Sequence, residues 1–140
     1  MTINKVRERI ASSLNVSAVT STCELYPELN TPDSADFPRA TYYVIDDLLD
    51  RDENIYNDEY TTLGETVVQL KAYYPSDVNG AETSATAMLE TMRRLIYPAN
   101  LSDDIFRVGS VTTQTQFTER DVNGVWIAIG RYRIKYNMLS

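Results

Sequence analysis

The residues able to act as acids, bases or ligands are concentrated in one stretch. Asp46-Asp47-Leu48-Leu49-Asp50-Arg51-Asp52-Glu53-Asn54-Ile55-Tyr56-Asn57-Asp58-Glu59 sets seven carboxylates against one arginine, a balance of −6 in a chain whose formal net charge is −7. Two of Asp46, Asp47, Asp50, Asp52 and Glu53 could serve as acid and base, but only if their surroundings held their proton affinities apart, and a solvated loop does not do that. The spacing Asp50-x-Asp52-x-Asn54 invites a calcium loop. Ile55, however, stands where such a loop must turn sharply, and Thr61 stands where its bidentate glutamate belongs. Two readings remain: a solvated, flexible excursion between two strands, or a contact surface for a basic neighbour with Leu48, Leu49, Ile55 and Tyr56 as apolar anchors.

Complementary charge lies near the far end of the chain. In Val125-Trp126-Ile127-Ala128-Ile129-Gly130-Arg131-Tyr132-Arg133-Ile134-Lys135-Tyr136-Asn137-Met138 the even positions share one face of a strand, which reads as core. The odd positions change from Val125, Ile127 and Ile129 to Arg131, Arg133 and Lys135, a ladder of cations about 14 Å long at ~3.4 Å per residue. Such a ladder is a solvated face, a guard against edge-to-edge aggregation, or a surface that meets the acidic stretch of an adjacent copy.

The remaining chemistry is mostly excluded. Without histidine there is no Ser/His/Asp or Cys/His nucleophile and no zinc site built with imidazole, and one cysteine cannot form a thiolate cage. Cys23 has no cationic neighbour in sequence to lower its pKa and reads as a small core residue. The five glycines never approach the spacing that cradles a pyrophosphate. No catalytic residue, cofactor or metal site is therefore expected, and the chain is not expected to be an enzyme. A pI near 4.5 argues against nucleic acid or an anionic membrane as the main partner. Neither a leader nor an apolar run of ~20 residues is visible, so synthesis in the cytosol is expected.

The elements that must position these charges follow from periodicity. At 140 residues the chain is expected to form one domain, 1–140, burying roughly 70% of its unfolded surface. Ile3, Val6, Ile10 and Leu14 predict a first helix over Thr2–Leu14, ended by Asn15. A short β-prone piece lies around Thr22-Cys23-Glu24-Leu25-Tyr26, followed by a loop over 30–36. Phe37-Pro38-Arg39-Ala40-Thr41-Tyr42-Tyr43-Val44-Ile45 begins a strand, and residues 65–74 form another. Each carries a tyrosine pair, Tyr42-Tyr43 and Tyr73-Tyr74, that must put one ring on each side of the sheet. Both faces are then partly apolar, and the face without helices is a candidate for cover by another subunit.

Ala81, Ala85, Met88, Leu89, Met92, Leu95 and Ile96 predict an amphipathic helix. Asn79 and Glu82 form its expected capping pair, Arg93 and Arg94 complement its last turn, and Tyr97-Pro98 ends it. A connection over 98–104 leads to a long hairpin, 107–119 and 125–138, around the turn Asp121-Val122-Asn123-Gly124. The expected class is α+β, a mostly antiparallel twisted sheet with an N-terminal helix, a central amphipathic helix and a closing C-terminal hairpin.

This order resembles the tail terminator proteins of long-tailed bacteriophages. The resemblance rests on the first helix, the Pro38-Arg39-Ala40-Thr41-Tyr42-Tyr43 strand start, the strand over 66–74 leading into the helix over 81–96, and the closing Trp126-Ile127-Ala128-Ile129-Gly130-Arg131-Tyr132-Arg133-Ile134-Lys135-Tyr136 strand. It implies a structural virion protein, assembled in the host cytoplasm, that forms a homohexameric ring on the head-proximal end of the tail tube. Such a ring stops tube polymerisation and presents a surface to the head connector or stopper protein, with nucleic acid only passing through the lumen. Six copies would carry 6 × −7 = −42 formal charges, so unlike patches or apolar burial must offset self-repulsion. The acidic stretch of one copy against Arg131, Arg133 and Lys135 of the next is the pairing that charge suggests, and a lumen-facing acidic stretch is its rival. Another head–tail joining protein, or a monomeric ligand-binding domain with a pocket lined by tyrosines, is the alternative.

Overall fold

The computed structural model describes the backbone of residues 2–31, 37–56, 59–76 and 79–139, and the side chains of these except 2–4, 30, 46–56, 59–63 and 139. Helix α1 (Thr2–Leu14) has the predicted bounds, and Val6, Ile10 and Leu14 of its stripe are buried. A four-residue helix α2 (Ser17–Thr20), which periodicity is too short to announce, buries Val19 and leads into strand β1 (Glu24–Pro27) and a 3-10 turn (Glu28–Asn30). Strands β2 (Arg39–Tyr56) and β3 (Glu59–Tyr74) form a hairpin. Helix α3 (Ala81–Leu95), the short helix α4 (Pro98–Leu101) and the hairpin of β4 (Phe106–Arg120) and β5 (Trp126–Leu139) complete the order.

The sheet runs β1-β2-β3-β5-β4. Among the described residues β1 and β2 form the only parallel pair; the other pairs are antiparallel, in keeping with the expected α+β class. Even positions of β3 and β5 face the helices: Val68, Leu70, Ala72 and Tyr74 pack with Ala128, Tyr132, Ile134 and Tyr136 and with Ala85, Leu89 and Met92 of α3. Burying such side chains contributes roughly 1.5–3 kcal/mol each for the larger ones and drives the two layers together. Cys23 is buried beside Tyr74, its sulfur 3.6 Å from the phenol oxygen, and burial pushes its thiol pKa up, as befits a core residue.

Two expectations need correction. The acidic stretch is not an irregular excursion: residues 46–56 continue β2, paired with β3 from Asp46↔Val67 to Tyr56↔Glu59 with three register shifts. A ladder partner is available because Tyr60-Thr61-Thr62-Leu63 is itself β-prone and because β5 holds β3 in place as far as Thr61. This extended backbone also removes the loop on which a calcium site at Asp50, Asp52 and Asn54 would depend. Secondly, α3 is not capped by Asn79 with Glu82. Gly80 is the N-cap, with φ 72° and no side-chain cap bond, and its carbonyl accepts Ser84 N–H at 2.8 Å. Glycine's freedom at positive φ turns the chain into the helix where the capping pair was expected to do so.

The C-terminal turn forms as read. Asp121 Oδ1 accepts the N–H groups of Asn123 and Val125 at 2.8 and 2.9 Å, and Gly124 takes φ 83°. The predicted connection is tied down by α1: Arg9 donates to the Leu101 and Asn100 carbonyls at 2.9 and 3.0 Å, and Lys5 meets Asp103 at 2.5 Å. Asp103 also accepts Ile105 and Phe106 N–H at 3.0 and 2.8 Å.

Two tyrosine rings lie over glycines of the sheet, Tyr132 over Gly130 and Tyr136 over Gly64, and a Cβ at either glycine would overlap the ring. Tyr132 is fully buried and cannot swing away. Gly130→Ala should therefore destabilise the fold by about 1–3 kcal/mol through overpacking, read as a lower unfolding midpoint by circular dichroism; an unchanged midpoint would count against this ring placement.

The Lys5 partner, with help from the two amides, holds the Asp103 carboxyl at about 2 rather than 3.8. Because the folded value is depressed, its contribution is present above pH 3.8 and is lost as pH falls towards 2. Asp103→Asn keeps the oxygen that accepts the amides but not the charge, so at pH 7 it should cost about 1 kcal/mol or less in denaturant unfolding. That difference should shrink as the pH is lowered through this window.

Candidate assembly surface

The face of the sheet opposite the helices is built from odd positions of β3 and β5, and the cation ladder lies on it. β5 sits between β3 and β4, so Arg131, Arg133 and Lys135 do not guard an edge. Their neighbours follow from register: Gln69↔Arg131, Val67↔Arg133 and Glu65↔Lys135. Arg131 Nε donates to Gln69 Oε1 at 2.9 Å. Glu65 lies 3.3 Å from Arg133 Nε, without the alignment of a hydrogen bond, and 4.0 Å from Lys135 Nζ. The ladder thus has partners within its own chain, while Arg131 and Lys135 stay exposed to solvent.

A second polar chain continues across this face. Gln69, only 8% exposed, donates through Nε2 to Glu28 Oε2 at 3.4 Å, and the other Glu28 oxygen meets Lys71 Nζ at 2.6 Å. Burial lowers the Lys71 pKa, but the bonds and charges of Glu28 and Tyr73 outweigh it and the net shift is upward. The 3-10 turn that follows β1 places Glu28 here, and period-two alternation in β3 aligns Glu65, Val67, Gln69, Lys71 and Tyr73.

Near β1 the surface becomes aromatic. The Arg39 guanidinium lies 4.5 Å from the Phe37 ring centroid and 4.8 Å from that of Tyr73, its register partner. Cation–π contact suits arginine, whose planar and weakly hydrated charge can sit against a ring. Arg39 Nε and Thr41 Oγ1 are buried with no hydrogen-bond partner among the described residues. At the other end Phe117 is 48% exposed beside buried Ile129, its register partner on β5. Of the paired tyrosines, Tyr74 is core, whereas Tyr42, Tyr43 and Tyr73 are half-buried.

Among the predicted contact residues, Arg131, Arg133 and Lys135 share one strand and one face. Asp46, Asp47, Leu48, Leu49, Asp50, Asp52, Glu53, Ile55 and Tyr56 have their backbone in the distal part of β2, and their side chains lie outside the described residues. Within the chain, the ladder is met by Gln69 and Glu65. Sequence reasoning missed Glu28, Glu65, Gln69 and Lys71. Their alternation in β3 was legible, but their pairing depends on cross-strand register and on where the 3-10 turn lands.

No group of three His, Cys, Asp or Glu among the described residues could hold a metal ion, and no described helix is long and apolar enough to cross a membrane. Tyr42 and Tyr43 border a depression of about 250 Å³ with Arg7, Pro27, Glu28, Leu29 and Val44, below the usual size of a small-molecule site. What the face offers is a broad polar and aromatic surface, suited to contact with another protein.

No family model matches the chain, and no curated protein matches it. Among solved structures it is similar to a chain described as the virion of a native gene transfer agent particle, at 12% identity and a TM-score of 0.56, over 94% of this chain and 91% of the other. The likeness is one of fold.

Proposed function

We propose that this chain is a structural protein of a phage-like virion and, within that class, a tail terminator: a homohexameric ring that caps the head-proximal end of the tail tube. The observation that carries this reading is a fold shared over 94% of this chain and 91% of the other with a chain of a gene transfer agent virion. Support comes from a sheet with one face committed to helices and the other open, and from the long acidic hairpin of β2 and β3. The chain acts by contact and not by catalysis. Its partners are further copies of itself, the tube protein beneath and a connector or stopper protein above, and its place is the virion after assembly in the host cytoplasm. DNA passes through the lumen, past a protein whose net negative charge keeps it from sticking.

In this reading the acidic hairpin of one copy approaches the basic end of the next, where Arg131 and Lys135 remain exposed. Charge of opposite sign at a boundary sets the register of docking and its rate more than its affinity. Apolar contact must supply the rest, and the Phe37–Arg39–Tyr73 cluster is suited to it.

Light scattering with negative-stain imaging should find a ring of about 95 kDa, six times 15.9 kDa, at high protein concentration or in the presence of tube. Added to polymerising tube protein from the same particle, the chain should stop elongation and shorten the tubes; continued growth past bound protein would end the terminator reading. Replacing Arg131 and Arg133 together by glutamate should lower ring formation at low salt, with a smaller effect at high salt where charges are screened. Unchanged assembly would remove those arginines from the interface.

A further inference from the structure

We propose that copies of this chain join edge to edge, the free edge of β2 in one copy pairing with the free edge of β4 in the next, so that the sheet continues across the boundary. The inference rests on the assembly reading above and names the surfaces through which assembly closes. β1 covers β2 only at residues 39–42, and no other described strand lies beside the rest of that edge. At the opposite side of the sheet β4 is the last strand. Each edge leaves a row of backbone N–H and C=O groups without a strand partner, a template for pairing with another chain.

The two edges match in length and regularity. In β2, residues 49–54 pair with β3 in unbroken register between shifts at Asp47/Leu49 and Asn54/Tyr56. In β4, residues 115–120 pair with β5 in unbroken register after the shift at Thr113/Thr115. Each regular run is six residues long, about the length of an ordinary strand. The β4 run, Thr115-Gln116-Phe117-Thr118-Glu119-Arg120, contains neither the lysine nor the proline with which exposed edges are commonly guarded.

Charge selects the pairing of unlike edges. Residues 49–54 carry Asp50, Asp52 and Glu53 against Arg51, so two such edges repel each other. The β4 run balances Glu119 with Arg120, and a groove of about 670 Å³ between α3 and β4 is bordered by Arg93 and Arg94 against Glu90. Arg94 is exposed and its bond to Glu90 is a surface pair that an incoming carboxylate can exchange for. Pairing of two different edges is head-to-tail, which generates a ring when the rotation per copy closes. The occupant of the β4 edge is thus the acidic β2 edge of a second copy.

Amide hydrogen exchange on the unmodified 140-residue chain, dilute and assembled, tests this. Outward-pointing amides in both 49–54 and 115–120 should exchange at least about tenfold more slowly after assembly. Slowing at 115–120 alone would mean a like-with-like β4 pair and would overturn the proposal. Rings that form with no slowing at either edge would overturn it while leaving the ring itself standing, and a chain that stays monomeric at every concentration and on tube would overturn both. Gln116→Pro and Phe117→Pro add a second reading, because successive N–H groups of a strand point to opposite sides and only one of these lies on the free edge. The variant that keeps the native circular dichroism spectrum should lose assembly; its full retention would overturn the proposal.

Discussion

The antiparallel pairing of β3 with β5 is the contact on which the rest of the molecule depends. It runs from Thr61↔Leu139 to Tyr74↔Trp126 through the middle of the sheet, and each strand contributes to both faces. The even positions supply the floor on which α3 rests, and the odd positions supply Glu65, Gln69, Arg131, Arg133 and Lys135 to the open face. Because side chains alternate strictly along a strand, a slip of one residue would carry the cations into the core and the core into solvent. Gly64 opposes such a slip, since only a position without a Cβ admits the ring of Tyr136 from the neighbouring strand.

The two faces use different physics. Beneath the helices, apolar burial is non-directional and tolerates modest change in shape. On the open face, stability comes from polar groups that must find particular partners: Arg131 to Gln69, Gln69 to Glu28, Glu28 to Lys71. Each such bond adds little by itself, yet losing one partner strands the other in a half-buried setting, so the network fixes one arrangement of the surface. Fixed, largely self-satisfied charge limits indiscriminate adhesion, while the aromatic cluster around Arg39 and the exposed Phe117 retain apolar contact area.

The proposed assembly asks for a small sheet-and-helix domain with one face and its edges uncovered, and the described residues supply both. Its architecture binds the helices firmly to one side and leaves the other face, the β4 margin and most of the β2 margin without a covering strand among the described residues. The acidic arm of β2 and β3 extends this margin well beyond the short β1, at the cost of concentrating negative charge at one place. Assembly through unlike edges would turn that cost into selectivity, since repulsion disfavours the symmetric pairing of two β2 edges.

Local patterns determined much of this protein from sequence alone. The stripe of Val6, Ile10 and Leu14, the spacing from Ala81 to Met92, the Asp121–Gly124 turn and the even–odd division of β5 were all legible, because each depends on neighbours a few residues away. The lack of histidine was equally informative, since it excludes nucleophile pairs and zinc sites that depend on imidazole. Tertiary structure decided what depends on distant partners. Whether the acidic stretch would be loop or strand was set by the availability of β3, itself held by β5. Whether the cation ladder was an edge was set by strand order, and whether its charges had partners by a register that brings Glu65 and Gln69 beside it. Sequence periodicity specifies which face a side chain takes, but only the paired sheet specifies what stands opposite.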